Sequence, residues 1–277
     1  MSSQFTMPLL YAFIKRRFRV VLTQKSFFIF QLAQPLIWLL TYGLSINNAL
    51  SKAFEEILGT NFLAFEALGL PMLFSISFPL ANSLNMSLEF SLGSPRIIRL
   101  LSSHDWRASF ILADVAVYAI LSLLALFELL VISFPFGFPY SFSLIGVLSV
   151  VLVIFLSVLF TYSLAIVLSK VLLSVSSYVS LLLLPFFLFS GIYYPVMYLP
   201  RLELLISAVI PYSHAIAIIR YFLLGYKASQ LGAIWSGLFN PITQIALSLT
   251  YLILFSFILL VLASRLLDKL GTWEVLF

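Results

Sequence analysis

The chain has 277 residues, of which 62% are hydrophobic and only 9% charged, with a net charge of +5 at pH 7. Soluble domains carry about a quarter of their residues as charges, so this composition excludes an ordinary water-soluble fold and places the basic excess beside a membrane rather than on nucleic acid. There is no cysteine, which removes disulfides, thiolate metal sites and a cysteine nucleophile from consideration.

The segment Met1–Lys25 does not read as a cleavable signal, because the basic cluster follows the apolar residues and no small-residue cleavage site comes after an apolar core. On a helical wheel Leu9, Leu10, Phe13, Ile14, Val20 and Val21 share one face and Lys15, Arg16 and Arg19 the other, with Arg17 off the pattern. Such a helix lies in the interfacial plane with its basic face toward anionic headgroups. Two readings fit this stretch: an elbow helix that positions the first span, or a basic flank that fixes topology.

Apolar runs place spans at Phe27–Ile46, Phe62–Leu88, Ala108–Ile132, Phe142–Leu168, Val175–Ile192 and Ile242–Ser264. The stretches from Glu128 to Lys170, Lys170 to Arg201 and Lys227 to Arg265 contain no charge between their ends, and each can hold a helix of about 20 residues. The fold class is therefore all-α, a polytopic membrane protein with six spans. An even count puts Lys15, Arg16, Arg17, Arg19, Lys25, Arg96, Arg99, Arg107, Lys170, Arg265 and Lys269 on the side of the termini, against Lys52, Arg201, Arg220 and Lys227 opposite. The positive-inside rule then makes both termini cytoplasmic.

Leu202–Leu224 is apolar enough for a seventh span, yet it contains Pro211, His214 and Arg220. A central arginine costs about 3 kcal/mol even on the mildest insertion scale. The segment reads instead as two short helices, broken at Pro211, that dip into the outer leaflet without crossing.

The second span carries a polar stripe: Ser75, Asn82 and Glu89 recur every seven residues, with Asn85 close by on the wheel. Such a stripe serves either interhelical hydrogen bonds or a polar path. In the following loop, Glu89–Ser109, Ser94 can cap and Pro95 can start a short helix bearing Arg96, Ile97, Ile98, Arg99, Leu100 and Leu101. This is either a docking element for another protein or a solvated connector.

The spacing of Glu89, Gly93, Arg99, Leu100 and Leu101 resembles the cytoplasmic coupling region of the permease subunits of type 2 ATP-binding-cassette (ABC) exporters. More specific is "FLFSGIYYPVMYLPRLELLISAVIPYSHAIAIIRYFLLG", Phe187–Gly225. It is similar to that family's signature at Ser190, Gly191, Pro195, Leu199, Pro200, Pro211, Tyr212, Ser213 and Arg220. The chain departs from the pattern at His104 and Asp105, where a proline is common, and at Ile210, where a polar residue is common.

The resemblance implies one permease domain over residues 1–277: an elbow helix at 1–26, five spans within 27–192, a re-entrant extracellular hairpin at 193–241, a sixth span at 242–264 and a cytoplasmic tail at 265–277. It implies that Glu89, Gly93, Arg96, Ile97, Arg99, Leu100 and Leu101 couple to an ATPase. Gln31, Gln34, Asn82, Asn85, Phe186 and Phe187 would line the translocation path. Ser190, Gly191, Pro195, Pro200, Pro211 and Arg220 would shape the outer gate, with Tyr193, Tyr194, Tyr198 and Tyr212 at the headgroups. The implied partners are a separate ATPase subunit, which holds ATP and magnesium, and a second permease copy, identical or not, all in the plasma membrane. The implied cargo is a drug, lipid or glycan leaving the cytoplasm.

This chain itself should hydrolyse no ATP and bind no metal or cofactor. A P-loop needs glycine before its lysine, and none of Lys15, Lys25, Lys52, Lys170, Lys227 and Lys269 follows one. The alternative is a secondary transporter, but Glu66, Asp114 and Glu128 fall near predicted helix ends rather than deep in the membrane. A serine hydrolase using Ser190 and His214 lacks the usual glycine two residues before the serine, and His214 is expected in a turn. Magnesium-dependent prenyl chemistry would need clustered carboxylates, and the sole adjacent pair, Glu55 and Glu56, is expected in an external loop.

Overall fold

A computed structural model describes residues 7–23, 29, 33–34, 36–91, 106–134, 140–171, 185–186, 188–235 and 237–273. Every regular element among them is helical. Ser109–Ser133, Leu144–Leu168 and Pro241–Leu266 are each long and apolar enough to cross a bilayer. The protein is an all-α, polytopic membrane protein.

Helix α1, Met7–Thr23, forms where the amphipathic segment was expected. Its Phe13 and Val21 are buried, and Leu9, Leu10, Ile14 and Phe18 pack on the same cluster. Val20, assigned by the wheel to the apolar face, is instead exposed, because it sits one residue off the stripe that Phe13, Arg17 and Val21 form at four-residue intervals.

The helix at the end of the predicted first span continues past Ile46. After a π-helical stretch, Leu39–Gly43, helix α2 runs over Leu44–Leu58, and Lys52, Glu55 and Glu56 lie exposed on it rather than in a loop. Phe54 holds this extension down, with its ring 5.1 Å from that of Phe62 and 5.3 Å from that of Phe65. The chain then bends by 87° into α3, Phe62–Ser91.

Helix α3 contains Pro71 and Pro79. A proline removes the N–H that the carbonyl four residues earlier would accept, so Pro79 leaves the Ser75 carbonyl free. Thr161, on α5 (Leu144–Val171), supplies the substitute: its Oγ1 lies 2.9 Å from the Ser75 carbonyl oxygen and 2.7 Å from that of Ser157. In lipid such a carbonyl must find a partner within the protein.

Helix α4, Trp106–Ser133, joins α5 through a loop fastened by Tyr140 to Ser133, 2.9 Å, and by the Ser141 N–H to the Leu223 carbonyl, 2.9 Å. The predicted fifth span lies mostly outside the described residues; its visible end turns at Ser190 and Gly191. Helices α6, Arg201–Val209, and α7, Pro211–Leu224, meet at 86°, which excludes a straight seventh span. Two short helices follow, α8 (Tyr226–Ser229) and α9 (Leu231–Ile234). Helix α10 covers Pro241–Trp273 and so runs past Ser264, the predicted end of the sixth span.

The core joins α3, α5 and α7 through Leu68, Met72 and Ile76, Val153 and Ile154, and Ile216 and Ile219. Between helices in lipid, close packing and hydrogen bonds do the work that hydrophobic burial does in water.

Candidate functional site

The polar centre of the molecule lies where the chain leaves its fifth apolar segment. Gly191 has φ +77°, and a Cβ there would meet Val196 Cγ1 at 2.7 Å; only glycine accepts both the left-handed backbone and the close approach. The turn lets the chain pass Pro195, a 3-10 turn at Val196–Tyr198 and Pro200, and enter α6. Gln230 braces it, its Oε1 accepting the Val196 N–H at 2.5 Å.

Arg220 reaches this turn from α7. Its Nη1 donates to the Gly191 carbonyl at 2.7 Å, its Nη2 to the Ile192 carbonyl at 3.0 Å, and Nε and Nη2 donate to the Phe65 carbonyl at 3.2 and 3.0 Å. The guanidinium lies 3.3 Å from the Phe65 ring centroid. A planar fork with five donors and a stacking face fits this seat; a lysine ammonium does not. Arg220 thus joins the start of α3, the end of the fifth segment and α7. At 2% exposure it is costly to bury, and the three carbonyls together with the nearby buried carboxyl of Glu66 on α3 offset that cost.

Two further knots fix α7. Tyr212, expected among headgroups, is fully buried: its hydroxyl is 2.7 Å from Thr161 Oγ1, and its ring stands edge-on to Phe160 and Phe186. Because the Thr161 proton goes to a carbonyl, Tyr212 is the donor. His214 lies in the first turn of α7, not in a loop turn. Its Nε2 is 2.8 Å from the Ala208 carbonyl, which can only accept, so Nε2 carries the proton. Its Nδ1 accepts from Ser248 Oγ at 3.0 Å, and that oxygen accepts from Trp235 Nε1 at 2.8 Å. Both ring nitrogens are engaged and neither reaches Ser190, so Ser190 and His214 form no hydrolase dyad.

In a separate cluster, Arg17 on α1 pairs with Asp114 on α4 at 3.3 Å. Burial by itself lowers the Arg17 pKa, but the Asp114 carboxylate and the hydrogen bond to the Tyr118 hydroxyl act the other way, and the pKa ends above its ordinary value. Asp114 is the ninth residue of its helix and nearly inaccessible, deeper than its expected place near a helix end.

Of the residues predicted for function, Ser190, Gly191, Pro195, Pro211 and Arg220 are buried together around this turn, with Pro200 exposed at its edge. Gln34 is half-buried on a helical stretch, and Phe186 touches Tyr212. Asn82, Asn85 and Glu89 lie on α3, with side chains outside the described residues. Gln31, Phe187, Gly93, Arg96, Ile97, Arg99, Leu100 and Leu101 also lie outside them. Phe65, Thr161, Gln230 and Ser248 carried no sequence signal; Arg17 did, as the charge that broke the wheel.

The family model described as "ABC-2 type transporter" matches residues 8–224. The chain belongs to the ABC-2 type transporter family. No curated protein matches it significantly. In this ABC-2 protein the match runs from the start of α1 to the last residue of α7, so it takes in Arg17, Asp114, Tyr212, His214 and Arg220 together. Membership makes the chain the membrane component of a transporter, with no catalytic role of its own.

Proposed function

We propose that this ABC-2 protein is the permease subunit of an ABC exporter, paired with a second permease copy and driven by a separate ATPase subunit that binds ATP and magnesium. The observation that carries the reading is the family match over residues 8–224, joined to the signature turn at Ser190, Gly191, Pro195, Pro200, Pro211 and Arg220. On this reading the chain crosses the plasma membrane six times with both termini in the cytoplasm, α1 is the elbow helix, and α6 and α7 form a hairpin at the outer face.

Closure of the ATPase moves the coupling helix near Ser94–His104 as a rigid lever, and the spans tilt to expose a path bordered by Gln31, Gln34, Asn82, Asn85, Phe186 and Phe187 alternately to each side. Each nucleotide state must favour one arrangement by a difference in binding energy. Arg220 ties the hairpin to the end of the fifth segment and the start of α3, so these parts of the outer gate move together. The cargo is a drug, lipid or glycan-type molecule exported from the cytoplasm.

The test is purification of the detergent-solubilised chain from its native membrane, with identification of co-purifying subunits and an ATPase assay. A stoichiometric P-loop ATPase, lost when Arg96→Glu and Arg99→Glu are combined, is the expected result. A chain that purifies without an ATPase and transports on an ion gradient would replace the exporter with a secondary transporter.

A further inference from the structure

The apolar stripe of α1 needs no charge to hold the helix in place, since Leu10, Phe13, Ile14 and Val21 already pack on the α4 cluster. Arg17 nevertheless occupies the middle of that stripe and points inward. Its Nε faces Asp114 Oδ1 at 3.3 Å, and its Nη2 donates to the Tyr118 hydroxyl. Asp114 Oδ2 accepts from the Tyr162 hydroxyl of α5 at 2.8 Å. Four residues on three helices therefore form one buried polar unit. Replacing a buried ion pair by apolar side chains is often neutral or stabilising, whereas removing one partner strands the other. Affinity between helices does not explain the pair, but a fixed register does.

The placement of α1 gives that register a purpose. The helix leads by chain connection toward the first span, yet it packs on α4 and reaches α5 through Asp114. We propose that Arg17 and Asp114 are positioning residues that lock α1, α4 and α5 into one rigid body whose internal geometry does not change during transport. The proposal extends the exporter reading, and the experiment separates the two.

The sequence has no cysteine, so spin labels can be attached specifically at Tyr11→Cys and Phe127→Cys, whose parent residues are 67% and 65% exposed on α1 and α4. The distance distribution between the labels is measured in the purified complex without nucleotide, with ATP and after vanadate trapping. A narrow distribution, unchanged across the three states, is expected. Arg17→Gln or Asp114→Asn should broaden it, and the exchanged pair Arg17→Asp with Asp114→Arg should narrow it again. A contact that merely added stability would let the single variants lower the melting temperature without broadening the distribution.

A shift of the distance on ATP binding, or an Arg17→Gln distribution as narrow as the parent's, would overturn the proposal. If no ATPase co-purifies, the exporter reading fails while the variant comparison on the chain alone still decides this one.

Discussion

Gly69 lies directly beneath Arg220: a Cβ at that position would meet Arg220 Nη2 at 2.9 Å and press into the Ile192 carbonyl that Nη2 bonds. The absence of a side chain on α3 is what lets the arginine of α7 reach the turn. Gly69→Ala should therefore destabilise the protein although alanine is the better helix former. Overpacking costs roughly 1–3 kcal/mol, and displacing a charged donor adds to it. Thermal unfolding in detergent should show a clearly lower Tm; an unchanged or higher Tm would mean that α3 and the turn can separate without loss.

Arg220→Lys should fail nearly as badly as Arg220→Met. An ammonium offers three donors from one point and cannot serve the carbonyls of Phe65, Gly191 and Ile192 while stacking on the Phe65 ring. Hydrogen bonds to charged groups contribute about 1.5–3 kcal/mol each, so loss of two exceeds a typical point-mutation effect. Folded yield by size-exclusion chromatography is the first readout; a lysine variant equal to the parent would show that charge alone holds the turn.

Thr161→Val keeps shape and removes the donor that serves the carbonyl released by Pro79. The expected cost is about 1–3 kcal/mol for an unsatisfied buried acceptor; Pro79→Ala, which restores the helical N–H, should recover that part, while the Tyr212 hydroxyl still lacks the acceptor that Thr161 gave it. A double-mutant cycle by denaturant unfolding checks the coupling; strictly additive effects would contradict it.

Ser248→Ala removes one hydroxyl on which two buried groups depend, Trp235 Nε1 and His214 Nδ1. A loss of about 1–3 kcal/mol is expected, along with a change in tryptophan emission as the indole N–H loses its partner. Unchanged stability and emission would show that neither bond persists in the membrane.

Tyr140, in the loop between α4 and α5, has its phenol pushed up to about 12 by burial, with the Ser133 hydrogen bond opposing that rise. The unfolded chain ionises near pH 10. The folded pKa is thus above the unfolded value, so the contribution to stability is complete below about pH 10 and disappears as pH rises through about 12. Tyr140→Phe should flatten the fall of unfolding free energy with pH in that window; an identical slope in both proteins would place the ionisation elsewhere.

The amino-acid sequence by itself determined the class of solvent and the class of element. Long apolar runs free of charge can exist only as helices in a bilayer, because hydropathy and backbone satisfaction are properties of neighbouring residues. It also determined where the chain must break: Gly191, Pro195, Pro200 and Pro211 act within a few residues of themselves, and the turn and the bend between α6 and α7 fall among them. Arg17 announced itself as the charge out of phase, although not its partner.

The tertiary structure decided which groups meet. Arg220 bonds a carbonyl 155 residues away in sequence, Thr161 one 86 residues away, and Arg17 pairs with Asp114; no local pattern encodes such distances. The same holds for the length of α2, since the apolar run stops at Ile46: Phe54 docking on Phe62 and Phe65 carries the helix on to Leu58. A helix end is set by what packs on it as much as by propensity, and packing partners become visible only once the chain has returned to them.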